Sequence, residues 1–248
     1  MSLAGELRKI ASRLDTPGVA EARRLRVPLE MYHFFQRIKA EFPIHTVLDV
    51  GANTGQFSRW CARCFPEAAI HAFEPLPACQ EELKKTAAKF PKIKLQPCAL
   101  GPQSGQVEMF ENDYKPSSSL LPMKDRHREL WPKTANAKKV SVRVEKLDDI
   151  AKRESFAKDT FLKLDVQGYE LHVLAGAQEV LKQTAVVMTE VLFEPLYEGQ
   201  AEFRSLLNYF AERGFRFTEF VEERRLSPHG KLIYADAAFV RETSRPRS

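Results

Sequence analysis

"VLDVGANTGQFSRW" (residues 47–60) sets an apolar strand run against a turn of two glycines and an asparagine, then passes into a helix-like segment. Strand, glycine turn, helix is the opening unit of a parallel sheet covered by helices. Working outward, "HTVLDV" (45–50), "AAIHAFE" (68–74) and "KIKLQPCAL" (92–100) read as three strands, with "SRWCARCF" (58–65) and "ACQEELKKTAAKF" (78–90) as the helices between them. "TFLKLDV" (160–166), the helical "YELHVLAGAQEVLKQ" (169–183), "AVVMTEV" (185–191) and the helical "EFRSLLNYFAERG" (202–214) continue the alternation. "FRFTEFV" (215–221) and "KLIYADAAFV" (231–240) are separated by nine residues, short enough for a hairpin. The expected fold is therefore α/β, a mostly parallel sheet with a C-terminal antiparallel pair and helices on both faces.

Two regions depart from that alternation. Residues 1–43 read as an N-terminal helical extension, including "LEMYHFFQRIKAEF" (29–42), packed against one side or covering a cleft. Residues 101–159 form an insertion within the 44–241 domain, with strand-like "QVEMF" (106–110) and "KKVSVRVEKL" (138–147) flanking a Pro- and Ser-rich loop, 112–137. Loops of that length in compact domains are commonly functional.

Composition bounds the rest. A chain of 248 residues, 44% hydrophobic and 29% charged, is ordinary globular material for one domain. The apolar run "TAVVMTEVLF" (184–193) is broken by Thr189 and Glu190 and is too short to span a bilayer, so no membrane insertion is expected. The N-terminal segment has no continuous apolar core, which disfavours a targeting signal and points to a cytoplasmic location. A net charge of +5 raises the chance of an acidic partner, but nucleic acid is not the favoured one. Cys61, Cys64, Cys79 and Cys98 are too few for a disulfide framework, and Cys61 of "WCARC" falls well inside a helix rather than at its N-terminus, so all four read as small buried hydrophobes.

In an open parallel sheet the ligand lies at the carboxyl ends of the strands, where "DVGANTG" (49–55) sits. A dinucleotide fingerprint would place glycine at positions 53 and 56; here they are Asn53 and Gln56, so a pyrophosphate against the helix is not expected. Glu74 ends the second strand, where an acidic side chain accepts the hydroxyls of a ribose. A nucleoside without a pyrophosphate fits, and S-adenosylmethionine is such a ligand: ribose on Glu74, adenine near Cys98, Ala99 and Leu100, amino-acid tail over Gly51 and Gly55 with Asp49 toward its ammonium group. Asn53 completes the turn.

"VLDVGANTG" (47–55), "FEP" (73–75), "CALG" (98–101), "SSSL" (117–120), "LKLDVQGYELHVLAGA" (162–177) and "TEVLFEPLY" (189–197) together resemble the FkbM family of S-adenosylmethionine-dependent class I methyltransferases across roughly residues 44–240. The resemblance implies a Rossmann-like methyltransferase fold and O-methylation of a sugar or secondary-metabolite hydroxyl. Cys98 stands where the family often carries asparagine.

Asp165 and Glu190 close two consecutive predicted strands, and neighbouring strands lie about 4.8 Å apart, so both carboxylates can face one substrate pocket. Asp165 is expected to act as base or hydroxyl binder with Glu190 as its companion; a divalent metal held by the pair is the less favoured alternative. Ser119, matching the family's serine, is a candidate substrate or cofactor contact. The loop's Lys115, Lys124, Arg126, Arg128 and Lys133 outnumber Asp125 and Glu129 and make it a candidate substrate lid. The acceptor is expected to be a small molecule or glycan. Methylation of RNA or protein, and a catalytically inactive cofactor-binding module, are the alternatives.

Overall fold

The computed structural model describes residues 17–227 and 229–242. The first sixteen residues of the expected N-terminal extension lie outside them. Helices α1 (Val19–Leu25) and α2 (Leu29–Glu41) come first. There follow β1 (Thr46–Val50), α3 (Gln56–Cys64), β2 (Ala69–Phe73), α4 (Pro77–Lys89) and β3 (Ile93–Gln96). The inserted segment carries β4 (Ala99–Leu100), β5 (Gly105–Asn112), α5 (Asp125–Leu130) and β6 (Ala137–Glu145), then α6 (Leu147–Glu154). The chain closes with β7 (Thr160–Leu164), α7 (Glu170–Ala175), α8 (Gln178–Gln183), β8 (Thr184–Leu192), α9 (Phe203–Ala211), β9 (Phe215–Arg225) and β10 (Leu232–Arg241).

Seven strands form the main sheet in the order β3-β2-β1-β7-β8-β10-β9. β10 runs antiparallel to both β8 and β9, and the other described neighbours pair parallel, as the alternation required. The hairpin does not simply append two strands: β10 inserts beside β8 and leaves β9 at the edge.

Three expectations need correction. "KIKLQPCAL" is not one strand: Pro97 has no N–H to give a ladder, Cys98 N bonds back to Gln96 O at 2.9 Å, and the chain leaves for a second, three-stranded sheet, β4-β6-β5. The helix over 169–183 is two helices, because Gly176 lies so close to Gly101 that a Cβ there would meet its carbonyl oxygen at 2.1 Å. The 112–137 loop contains α5 and two turns of 3-10 helix.

Apolar residues pack on both faces of the sheet. On one, Met31, Phe34, Phe35 and Ile38 of α2 join Phe57, Phe161 and Met188 in one cluster, so α2 belongs to the core. On the other, α7, α8 and α9 bury Val173, Leu181 and Phe210 against Leu48, Leu162 and Phe239.

Candidate active site

The turn after β1 is forced by crowding. Gly51 has φ +83°, and a Cβ on it would sit 1.9 Å from the carbonyl oxygen of Asp165, whose own N–H bonds to Val50 O at 2.9 Å. Only glycine lets the β1 turn approach the end of β7 this closely. Asn53 is left-handed as well, φ 49°, a conformation asparagine tolerates, so the turn keeps a glycine-like path without a third glycine. Gly55, φ 80°, precedes α3.

Glu74 lies beneath this turn, buried. Its Oε2 accepts from Asn53 N at 2.9 Å and its Oε1 from Leu76 N at 2.8 Å. Each oxygen keeps one acceptor position, and burial pushes the carboxyl up to about 7. Gly51, Asn53, Glu74, Ala99, Leu100 and Ser119 line one cleft. The Ser119 hydroxyl donates to Gln167 O at 2.9 Å and accepts from Leu121 N at 3.0 Å, so it fastens the inserted loop to the "DVQG" turn.

Asp49, Lys163, Asp165, Glu190 and Asp236 share one face of the sheet. Asp49 pairs in register with Lys163, Lys163 with Met188, and Glu190 with Asp236; the period of two places Asp165 above Lys163 and Glu190 above Met188. The Lys163 ammonium, buried within β7, lies 2.7 Å from Asp165 Oδ2 and 5.4 Å from the centre of the Phe57 ring. Although burial opposes its charge, Asp165, Asp49 and Asp236 together raise its pKa. Asp49 Oδ2 accepts from Ser58 Oγ at 2.6 Å, while its fully buried Oδ1 has no hydrogen-bond partner among the described residues. Asp49 lines a further cleft with Gly51, Asn53, Lys163 and Asp165.

Asp165 and Glu190 are brought together by a residue the sequence reading passed over. Gln167, left-handed at φ 55°, donates from Nε2 to Asp165 Oδ1 and to Glu190 Oε2, each at 2.8 Å. Its Oε1 accepts from the Tyr197 hydroxyl at 2.9 Å, which fixes the amide's orientation. Tyr197 is fully buried and also contacts Ser117 O and His127 Nε2 of the inserted segment. Glu190 is pushed well above the ordinary carboxylate range by burial, then by Asp165 and Asp236. Burial likewise lifts Asp236 to about 7.

Glu190, Glu222 and Asp236 line a second, open cleft of about 650 Å³, with Trp131 and Tyr234 also in its lining. Asp165 lines all three clefts and stands at their junction. Of the loop's basic side chains, Lys115 lines the Glu74 and Asp49 clefts and Lys133 the Glu190 cleft, while Arg126 pairs with Glu194 and Glu129 and Arg128 with Asp125. Glu170 turns inward and accepts from Gly168 N at 3.0 Å, and His172 stacks on Tyr169. All four cysteines are buried and free. Among the described residues there is no group of three or more His, Cys, Asp or Glu arranged to hold a metal ion, and no helix long and apolar enough to cross a membrane. Lys163, Gln167, Asp236 and Tyr197 are the site residues that sequence reasoning missed; a lysine inside the apolar run "TFLKL" was the available signal.

A model of the methyltransferase FkbM domain matches residues 49–217. The chain is 27% identical over 176 residues to the 2-O-methyltransferase NoeI of Sinorhizobium fredii, covering 68% of this chain and 72% of that one. It is 27% identical over 160 residues to the 31-O-demethyl-FK506 methyltransferase FkbM of Streptomyces tacrolimicus, covering 55% and 61%. The crystal structure of a methyltransferase FkbM from Methylobacillus flagellatus superposes with a TM-score of 0.51 at 15% identity, over 80% of this chain and 44% of that chain; this likeness concerns the fold, and the chain spans less than half of that protein. With the family model spanning the glycine turn, Glu74 and the Asp165–Glu190 pair, the chain belongs to the FkbM methyltransferase family.

Proposed function

We propose that the chain is an S-adenosylmethionine-dependent O-methyltransferase acting on a hydroxyl of a small acceptor, a carbohydrate or natural product. Asp165 carries the reading: it stands where the cleft between the glycine turn and Glu74 meets one lined by carboxylates and aromatic residues. The NoeI and FkbM relatives, named as O-methyltransferases, support it.

S-adenosylmethionine fits the residues present. Glu74 offers two acceptor positions to the ribose hydroxyls, and the orphaned Asp49 Oδ1 offers one to the ammonium group. Gly51 keeps the backbone clear, Asn53 and Gly55 shape the turn, and Ala99 and Leu100 provide an apolar surface for the adenine. When bound, this cofactor supplies an electrophilic methyl group on a cationic sulfur.

The remaining work falls to the acceptor side. Both Asp165 oxygens are engaged, by Lys163 and by Gln167, which suits it to orient a hydroxyl. Glu190 has one oxygen held by Gln167 and the other without a hydrogen-bond partner among the described residues. That open oxygen, facing the acceptor cleft, makes Glu190 the candidate general base, and burial raises its affinity for the proton it would take. Trp131 and Tyr234 in the lining supply aromatic surface suited to the apolar side of a sugar or polyketide ring. Four carboxylates in the acceptor cleft, Asp165, Glu190, Glu222 and Asp236, outnumber its cations Lys133 and Arg224 and oppose docking of an RNA backbone. Ser119 acts here as a positioning residue that ties the loop to Gln167.

The test uses Glu190→Gln with isotopically labelled methyl donor and a panel of hydroxylated acceptors. Turnover is expected to fall by about 10² to 10⁴ while donor affinity is retained. Undiminished turnover in the variant removes Glu190 from the mechanism, and failure of the wild type to bind the donor removes the cofactor assignment.

A further inference from the structure

A second concave surface lies away from the acceptor cleft, between α3 and α4 and beside the end of α1. Among the described residues, Arg26, Arg59, Arg63, Lys85 and Lys89 line this open groove against a single carboxylate, Glu82. Five cations against one anion give the groove a net +4 among the described residues.

The local sequence works against helix stability to achieve this. Arg59 and Arg63 are four residues apart on α3, and Lys85 and Lys89 four apart on α4; like charges at that spacing repel along a helix. Elsewhere on the surface such cations have acidic neighbours, as in Lys84–Glu81, Lys152–Asp149 and Arg153–Glu145. In the groove only Lys85 has an ion-pair partner among the described residues, Glu82 at 2.7 Å. Arg63 is held in place, donating to Leu25 O at 2.9 Å and lying 5.4 Å from the Phe90 ring centre, and burial with nearby Arg59 and Arg26 lowers its pKa. Arg26 itself adopts a left-handed backbone, φ 53°, at the end of α1.

We propose that this groove binds a compact ligand carrying two or more phosphate groups. Guanidinium forks grip two oxygens at once, and cations from three separate elements surround the space, more than one carboxylate or monophosphate could engage. A nucleic-acid track would need free cations continuing beyond the groove, whereas the neighbouring Arg24, Lys84 and Lys92 are paired with Glu21, Glu81 and Glu67. Thr54 and Glu82 line both the groove and the cleft around Asp49, so the occupant would sit beside the β1 turn without entering the acceptor cleft.

Calorimetric titration of the full chain with inorganic tripolyphosphate and with orthophosphate tests the site independently of any methyl transfer. The expected result is one saturable site, with tripolyphosphate bound at least about tenfold more tightly and less tightly as salt rises. Arg59→Gln with Arg63→Gln is expected to weaken tripolyphosphate by about tenfold or more, and Glu82→Gln to strengthen it. Should the arginine pair prove necessary for folding, Lys85→Gln with Lys89→Gln on the exposed side of α4 carries the same expectation. Absence of saturable binding, equal affinity in the charge variants, or tighter binding of a short single-stranded RNA than of tripolyphosphate would overturn the proposal.

Discussion

Lys163→Met removes the ammonium from the acidic row while leaving a side chain of similar length. Asp165 Oδ2 loses its 2.7 Å partner, and Asp49 and Asp236 lose the positive charge that holds their pKa values down. Removing one partner of a fully buried pair costs about 3–5 kcal/mol. The Asp165 side chain is 35% exposed, so solvent screens part of this, and a loss of about 2–3 kcal/mol is expected at pH 8. Each kcal/mol lowers the midpoint of thermal unfolding by about 2–4 °C in a domain of this size. The sign of the pH effect follows from proton counting. Asp49 and Asp236 already bind protons more tightly folded than unfolded, and the variant strengthens that preference. Stability of the variant therefore falls more steeply than that of the wild type as pH rises from about 5 to 8, and the gap narrows in acid. Urea unfolding at both pH values measures this. An equal gap at pH 5 and pH 8, or no gap at either, would refute the role assigned to Lys163.

Gly51→Ala is expected to cost about 2–4 kcal/mol through its left-handed backbone and the clash with Asp165 O, and to weaken donor binding; a fully stable variant in urea unfolding would contradict the crowding argument. Glu74→Ala is expected to weaken S-adenosylmethionine by about tenfold or more in calorimetry, since the ribose loses both carboxyl oxygens as acceptors, and unchanged affinity would end the nucleoside assignment. Glu74, Glu170 and Asp236 are each raised to about 7, so the stability they contribute is fully present below their unfolded pKa near 4 and is lost as pH rises through 7. Melting temperatures across pH 4.5 to 8 should show this decline, and saturating donor should lessen it by adding positive charge beside the carboxylates.

Legibility varied with the range of the information. The glycine turn and Glu74 were legible as candidates because their spacing is local, and Asp165 because it follows an apolar strand, whereas Glu190 lies inside β8, two residues before its end. Lys163 was hidden in the same run as Asp165: the period of two was there, but which face it opposes depends on β1 register, and a strand buried on both faces shows no alternation. Asp236 and Glu222 depend on the hairpin register, which shifts at three places along β9 and β10 and cannot be read from a nine-residue connection. Tyr197 reaches Gln167 only after the chain has passed through β8 and the turn beyond it. The Pro97 break, by contrast, was present as a local signal within the predicted strand.

The place of β10 bears on how the site comes into being during synthesis. β9 pairs with β10 alone, and β10 supplies Asp236 opposite Glu190, so the floor of the acceptor cleft is assembled from the last part of the sheet to leave the ribosome. The glycine turn, Glu74 and the Asp165–Gln167–Glu190 bridge are all made earlier. A nascent chain therefore holds the parts of the donor cleft before it can present a finished surface to an acceptor, and the exposed edge of β8 is the stretch most open to wrong pairing until the final strand arrives.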